Sequence, residues 1–139
     1  MVTKLTDEFL IIRIERGDSY INCIKDACKK YSVKCATISG IGAIDTFVCG
    51  IFNPETKQYK ELTYNGMYEI LSLCGNITQK DNECYVHAHI CVSDSEGKAF
   101  GGHLIEANCN VTGEIFISLI NADINRRFDD NIGINLMEL

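Results

Sequence analysis

Apolar and polar positions follow two rhythms along this chain. The stretch EFLIIRIE, residues 8–15, is rich in isoleucine and reads as a first strand, broken by Arg16-Gly17-Asp18. Gly17 allows the turn, and Asp18 is the expected N-cap of a helix. In that helix Tyr20, Ile21, Ile24, Ala27, Cys28 and Tyr31 recur every three to four residues and form one buried stripe. Lys29 and Lys30 follow at its C-terminal end, where cations favour the helix dipole.

Beyond the helix almost every segment has the composition of a strand. CATISGIGAIDTFVCGIF is β-branched, and Gly40 and Gly42 mark a bulge or a close backbone approach. QYKELTY reads as a short exposed strand, and MYEILSLCGNITQ as a largely apolar one. KDNE is a hairpin turn between MYEILSLCGNITQ and CYVHAHICVSD; SEG turns that strand into KAFGGHLIEA. GEIFISLIN follows, and IGINLMEL is a candidate last strand. The single proline, Pro54, sits in the FNPETKQ turn.

One main helix and about seven strands imply an α+β fold. The helix packs on a largely antiparallel, multi-stranded sheet. One helix cannot cover that much sheet, yet EILSLC and IFISLI are apolar at consecutive positions. Such runs call for burial on both faces. Either the sheet folds back on itself as a sandwich or barrel, or a second subunit covers it; a homo-oligomer is the favoured expectation.

Composition narrows the classes. A chain of 139 residues fits one domain, 1–139, large enough to bury a core without staples. No apolar run approaches the roughly 18 residues of a membrane span. MVTKLTDEFLIIRIERGD places two acids before any apolar run and lacks a small-residue cleavage site, so it reads as strand rather than signal peptide, and the expected location is cytoplasmic. The eight cysteines form no Cys-x-x-Cys pair and mostly sit in apolar strings, as reduced, structural residues do. A net charge of −6 opposes non-specific nucleic-acid binding. The small basic clusters, Lys29-Lys30 with Lys34 and Arg126-Arg127, read as solvated faces. Gly40-Ile41-Gly42 lacks the third glycine and following helix of a dinucleotide loop.

All three histidines fall between Tyr85 and Leu104. Side chains alternate along a strand, so His87 and His89 share a face, their Cα atoms about 7 Å apart. A three-residue loop of Ser95, Glu96 and Gly97 sets Asp94 opposite Lys98, and counting back sets His89 opposite His103. The three imidazoles then converge, unless a bulge at Gly101-Gly102 breaks the count or a two-residue loop turns His103 to the other face. Three imidazoles with an open fourth position are a zinc-type site, and nickel, copper or iron also suit the donors. The alternative is hydrogen-bonded core or interface histidines. Glu114, at the start of GEIFISLI, is a candidate fourth ligand, outer partner or general base.

The ordered set RIERGD, ISGIGAI, YEILSLCGNIT, the His-x-His strand, GGHL and VTGEIFI resembles the PPC domain, the module conserved in plants and prokaryotes. The resemblance covers about residues 5–121. It implies a compact α+β fold, a homotrimer, and a candidate metal site at His87, His89 and His103 with Glu114 at the family's acidic position. It also implies a DNA-binding or transcription-associated regulatory role, with regulatory proteins as possible partners. Against direct DNA contact stand the net charge of −6 and the absence of an Arg-Gly-Arg-Pro hook. The competing class is a small metal-dependent hydrolase or lyase using metal-bound water, with Glu114 as base. No serine has a nucleophile-elbow context.

Overall fold

The computed structural model describes residues 1–139. In chain order the elements are β1 (Val2–Leu5), β2 (Phe9–Glu15), α1 (Tyr20–Lys30), β3 (Ala36–Asn53), β4 (Gln58–Lys80), β5 (Glu83–Ser93), β6 (Ala99–Leu119), β7 (Arg126–Asp129) and β8 (Ile134–Met137). One helix on a mostly antiparallel sheet is the α+β architecture that the pattern predicts. The N-terminal strand is a hairpin, β1 pairing with β2.

The helix begins one residue later than its expected cap. Ser19 is the N-cap, its hydroxyl accepting from the Asn22 N–H at 3.3 Å. Asp18 instead accepts from the Glu15 N–H and from the amino terminus, at 2.7 Å in the latter case. The buried face of α1 is Tyr20, Cys23, Ile24, Ala27 and Cys28; Ile21 and Tyr31 lie at its margin. It packs over β2 and β6, with Leu10, Ile12, Ile14, Ile115 and Ile117 beneath it, all fully buried.

Six strands hydrogen-bond in the order β1-β2-β6-β3-β4-β5, and β5 pairs with β6 as well. The pairs β3–β4, β4–β5, β5–β6 and β6–β3 therefore close a circuit. The sheet thus folds back on itself, one of the two arrangements that the doubly apolar runs leave open, although it does not bury both of their faces. Three strands are long enough to serve two halves of it. QYKELTY and MYEILSLCGNITQ are one 23-residue strand, β4, and KAFGGHLIEA continues through GEIFISL as the 21-residue β6. Asn65-Gly66 stands between the halves of β4 without making a turn, and bulges bend the strands. Register shifts on β3 fall between Gly40 and Gly42 and between Ile44 and Thr46. Gly42 faces Gly113 across β3–β6, and a Cβ on Gly42 would lie 2.8 Å from the Gly113 Cα. Tyr20 covers that contact and donates to the Thr112 carbonyl at 3.3 Å.

The apolar runs resolve into one buried and one open face. Ile70 and Leu73 point into the core while Leu71 stays 53% exposed; Ile115 and Ile117 are buried while Phe116 is 46% exposed. The bulge opposite Ile41 places it against Leu71–Ser72, and Ile41 is also exposed. Within one chain these residues have no cover. No helix is long and apolar enough to cross a membrane.

Candidate metal centre

The turn from β5 to β6 sets the site. Gly97 adopts φ +77°, and its N–H donates to the Asp94 carbonyl at 3.0 Å. The Asp94 carboxylate accepts from the N–H groups of Glu96 and Lys98, each at 2.9 Å. Asp94 thus faces Lys98, and the ladder runs back through Ser93–Ala99 and Cys91–Gly101 to His89–His103 without a shift. The two glycines keep this register. A Cβ on Gly101 would overlap the Ile90 carbonyl, and one on Gly102 would lie 2.9 Å from the Gly50 carbonyl oxygen. Only residues without side chains let β3, β5 and β6 approach so closely.

His87, His89 and His103 come together as the spacing predicts. One ring nitrogen from each lies within 4.8 Å of those of the others. Ring centroids are 5.5 Å apart for His87–His89, 5.1 Å for His87–His103 and 5.4 Å for His89–His103. His89 is exposed; His87 and His103 are half-buried. Burial, then the neighbouring His103, Arg126 and His89, lower His87 to a pKa of about 4. Burial and His89 also lower His103. Both rings are therefore neutral near pH 7, the protonation state a metal ligand requires. His103 Nδ1 is buried and has no hydrogen-bond partner. A buried nitrogen without a partner costs about 1–3 kcal/mol, and a bound ion would satisfy it. The donor set fits a divalent transition metal.

Arg126 is the functional neighbour that sequence reasoning missed. Instead of lying on a solvated face it is 8% exposed, while Arg127 beside it points outward. Its guanidinium donates to Thr78 Oγ1 at 2.8 Å, Asn76 Oδ1 at 2.9 Å and the Asn135 carbonyl at 2.9 Å. Nη2 also stands 3.4 Å from His87 Nδ1. Arginine cannot accept, so at this contact Nδ1 is the acceptor. The guanidinium lies over the Tyr85 ring, 4.8 Å from its centroid. The only sequence signal was strand alternation in RRFD, which turns successive side chains to opposite faces.

Arg126 and the β7–β8 hairpin wall a pocket of about 160 Å³ beside the histidines. Tyr59, Tyr85, His87, His103 and Asn135 also line it. The Tyr59 ring lies 5.1 Å from that of His103. Glu114 is not in this lining. It sits eleven residues beyond His103 on β6, about 35 Å of strand. There it faces Arg13 on β2 and Ile41 on β3. Within one chain neither the histidine cluster nor the pocket lining includes it. The long continuous β6 carries it away, where two separate strands would have allowed its return.

No curated protein matches the chain. Solved structures do. A plant- and prokaryote-conserved (PPC) protein from Pyrococcus horikoshii is 36% identical, with a TM-score of 0.89 over 99% of this chain and 95% of that one. A protein from Bacteroides thetaiotaomicron, provisionally described as DNA-binding, is 31% identical, with a TM-score of 0.95 over 99% and 96%. A metal-containing protein from Archaeoglobus fulgidus is 27% identical, with a TM-score of 0.88 over 100% and 99%. The family model of the Plants and Prokaryotes Conserved (PCC) domain matches residues 2–121. With nearly the whole chain covered by that match, and the same fold in an identified PPC protein, this chain belongs to the Plants and Prokaryotes Conserved domain family.

Proposed function

We propose that this chain is a metal-holding assembly module, one domain over residues 1–139, that works as a homotrimer in transcription-associated regulation. The observation that carries the metal is the convergence of three imidazole nitrogens within 4.8 Å. The buried, unpartnered His103 Nδ1 and the lowered pKa of His87 support it. The metal-containing Archaeoglobus relative points the same way. Zinc is the first choice, with nickel, copper and iron as the other ions suited to imidazole. A bound ion would cross-link β5 to β6 and act as a Lewis acid beside the pocket. His87, His89 and His103 would hold it; a neutral His87 has one free lone pair, so binding there would displace the Arg126 contact from Nδ1 or move the ring proton onto it.

The trimer rests on family membership and on the uncovered apolar residues Ile41, Leu71 and Phe116. Regulation is favoured by the DNA-binding description of the Bacteroides relative. Contact with DNA would run through protein partners, because the net charge is −6 and Arg126 is committed inward. A metal-dependent hydrolase or lyase is the second reading. The pocket beside His87 and His103 favours it, and the distant Glu114 does not supply its base.

Elemental analysis of protein purified without chelators tests the metal. One ion per chain in the wild type, absent from His87→Ala, is expected. A metal-free wild type overturns the assignment.

A further inference from the structure

Away from the histidines, two of the eight cysteines meet where the last turn of α1 packs against the start of β5. Cys28 and Cys84 lie side by side there, lining the same pocket. Cys28 is 1% exposed, and Cys84 is half-buried. Both line a surface pocket of about 260 Å³ whose rim includes Lys29, Lys34 and Gln79. A small uncharged molecule can therefore approach Cys84 from solvent while Cys28 waits behind it.

The two sulfurs differ in character. The neighbouring Cys28 thiol, and then the charge of Lys25, hold the Cys84 thiol below the ordinary range against its burial. The Cys84 neighbour, together with burial, pushes Cys28 up. Burial likewise raises Cys35, Cys49 and Cys109, and holds Cys23 at about 11. A reactive cysteine pair combines an accessible thiolate with a resolving thiol at its side. Of the eight cysteines, Cys84 and Cys28 have that arrangement.

We propose that Cys28 and Cys84 form a peroxide-reactive dithiol, with Cys84 as the attacking sulfur and Cys28 as the resolving one. The Cys84 thiolate attacks one oxygen of hydrogen peroxide. The O–O bond breaks, and the leaving hydroxide takes a proton to become water. Cys84 is then a sulfenic acid. The Cys28 sulfur attacks the Cys84 sulfur, the S–O bond breaks, and the departing hydroxide takes the Cys28 proton as a second water. The two thiols lose two electrons and two protons, and one peroxide yields two waters. The resulting disulfide ties the C-terminal turn of α1 to the β4–β5 hairpin. A dithiol of this kind is compatible with a reducing compartment, where disulfides are transient and redox-sensing.

The test is reduced wild-type protein exposed to hydrogen peroxide at neutral pH, followed by intact mass and peptide mapping. The expected product has lost the mass of two hydrogens and contains a Cys28–Cys84 linked peptide pair. It forms at least about tenfold faster than the exposed Cys74 is oxidised, as thiolate control of reactivity requires. In Cys28→Ala the disulfide is replaced by a sulfenic acid at Cys84, trapped with dimedone. Oxidation of Cys74 ahead of Cys84, or no Cys28–Cys84 link in the wild type, overturns the proposal. The wild-type map decides the matter alone should Cys28→Ala fail to fold.

Discussion

His103 stands directly across from His89 on the β5–β6 ladder, the two rings edge to face with centroids 5.4 Å apart. The relationship is fixed by main-chain geometry: the turn at Gly97 sets the count, and Gly101 and Gly102 preserve it. The cluster is therefore a consequence of hairpin register, and variants that disturb the register test it more sharply than removal of a ligand.

Gly101→Ala should separate β5 from β6, because its Cβ would overlap the Ile90 carbonyl. Overpacking of this kind costs about 1–3 kcal/mol. Zinc affinity should fall with it. Gly97→Ala has open space around its Cβ but a φ of +77°. It should cost about 1 kcal/mol and leave zinc affinity nearly unchanged. Urea denaturation with zinc competition titrations measures both, and equal losses of affinity would contradict the register argument.

Arg126→Lys keeps the charge and loses the fork. A lysine cannot reach Thr78, Asn76 and the Asn135 carbonyl together as the guanidinium does. Loss of such charge-assisted hydrogen bonds should cost about 2 kcal/mol. Zinc affinity should not fall with it, because a neutral His87 offers one lone pair and the Arg126 contact occupies it. Thermal unfolding and zinc titration measure both; a large loss of affinity would contradict this reading of the Arg126–His87 contact.

The metal-free protein should lose stability on mild acidification. His87 titrates near 6.5 when unfolded and at about 4 when folded. Below pH 6.5 the unfolded chain binds more protons, so stability is full above that value and is lost as pH falls toward 4. His87→Gln should show a shallower loss across that window. The difference between the two urea-midpoint profiles isolates His87 from the carboxylates. Parallel profiles would mean that His87 is not held neutral.

Light scattering should give the mass of three chains for the wild type. Ile41→Asp puts a charge on the open apolar face beside Leu71 and should shift the mass to a single chain while leaving the far-UV spectrum unchanged. A wild-type monomer, or a trimer untouched by charges at both Ile41 and Phe116, would take that face out of the assembly.

Much of this was legible because local rules governed it. Two histidines separated by one residue share a strand face, and DSEGK encodes its own turn, so the cluster followed from counting. The helix stripe and the Asp81-Asn82 turn, both residues at positive φ, were equally local. What stayed hidden depends on tertiary context. Nothing between QYKELTY and MYEILSLCGNITQ says that the chain runs on as one strand, since the bulges that bend it answer to packing on β3. The same continuity in β6 removes Glu114 from the histidines. Ser19 prevailed over Asp18 as the cap because the amino terminus captured the Asp18 carboxylate. Arg126 was invisible because a buried arginine is recognised only by its acceptors, and those lie about 50 residues away in the sequence.

X-ray absorption at the zinc edge, on protein stripped and reloaded with one equivalent of zinc, tests the central claim most directly. The prediction is a nitrogen and oxygen shell at about 2.0–2.1 Å with outer-shell scattering from three imidazoles. His87→Ala should lose that signature. A sulfur shell at about 2.3 Å, or scattering from fewer than three imidazoles, would contradict a centre built from His87, His89 and His103.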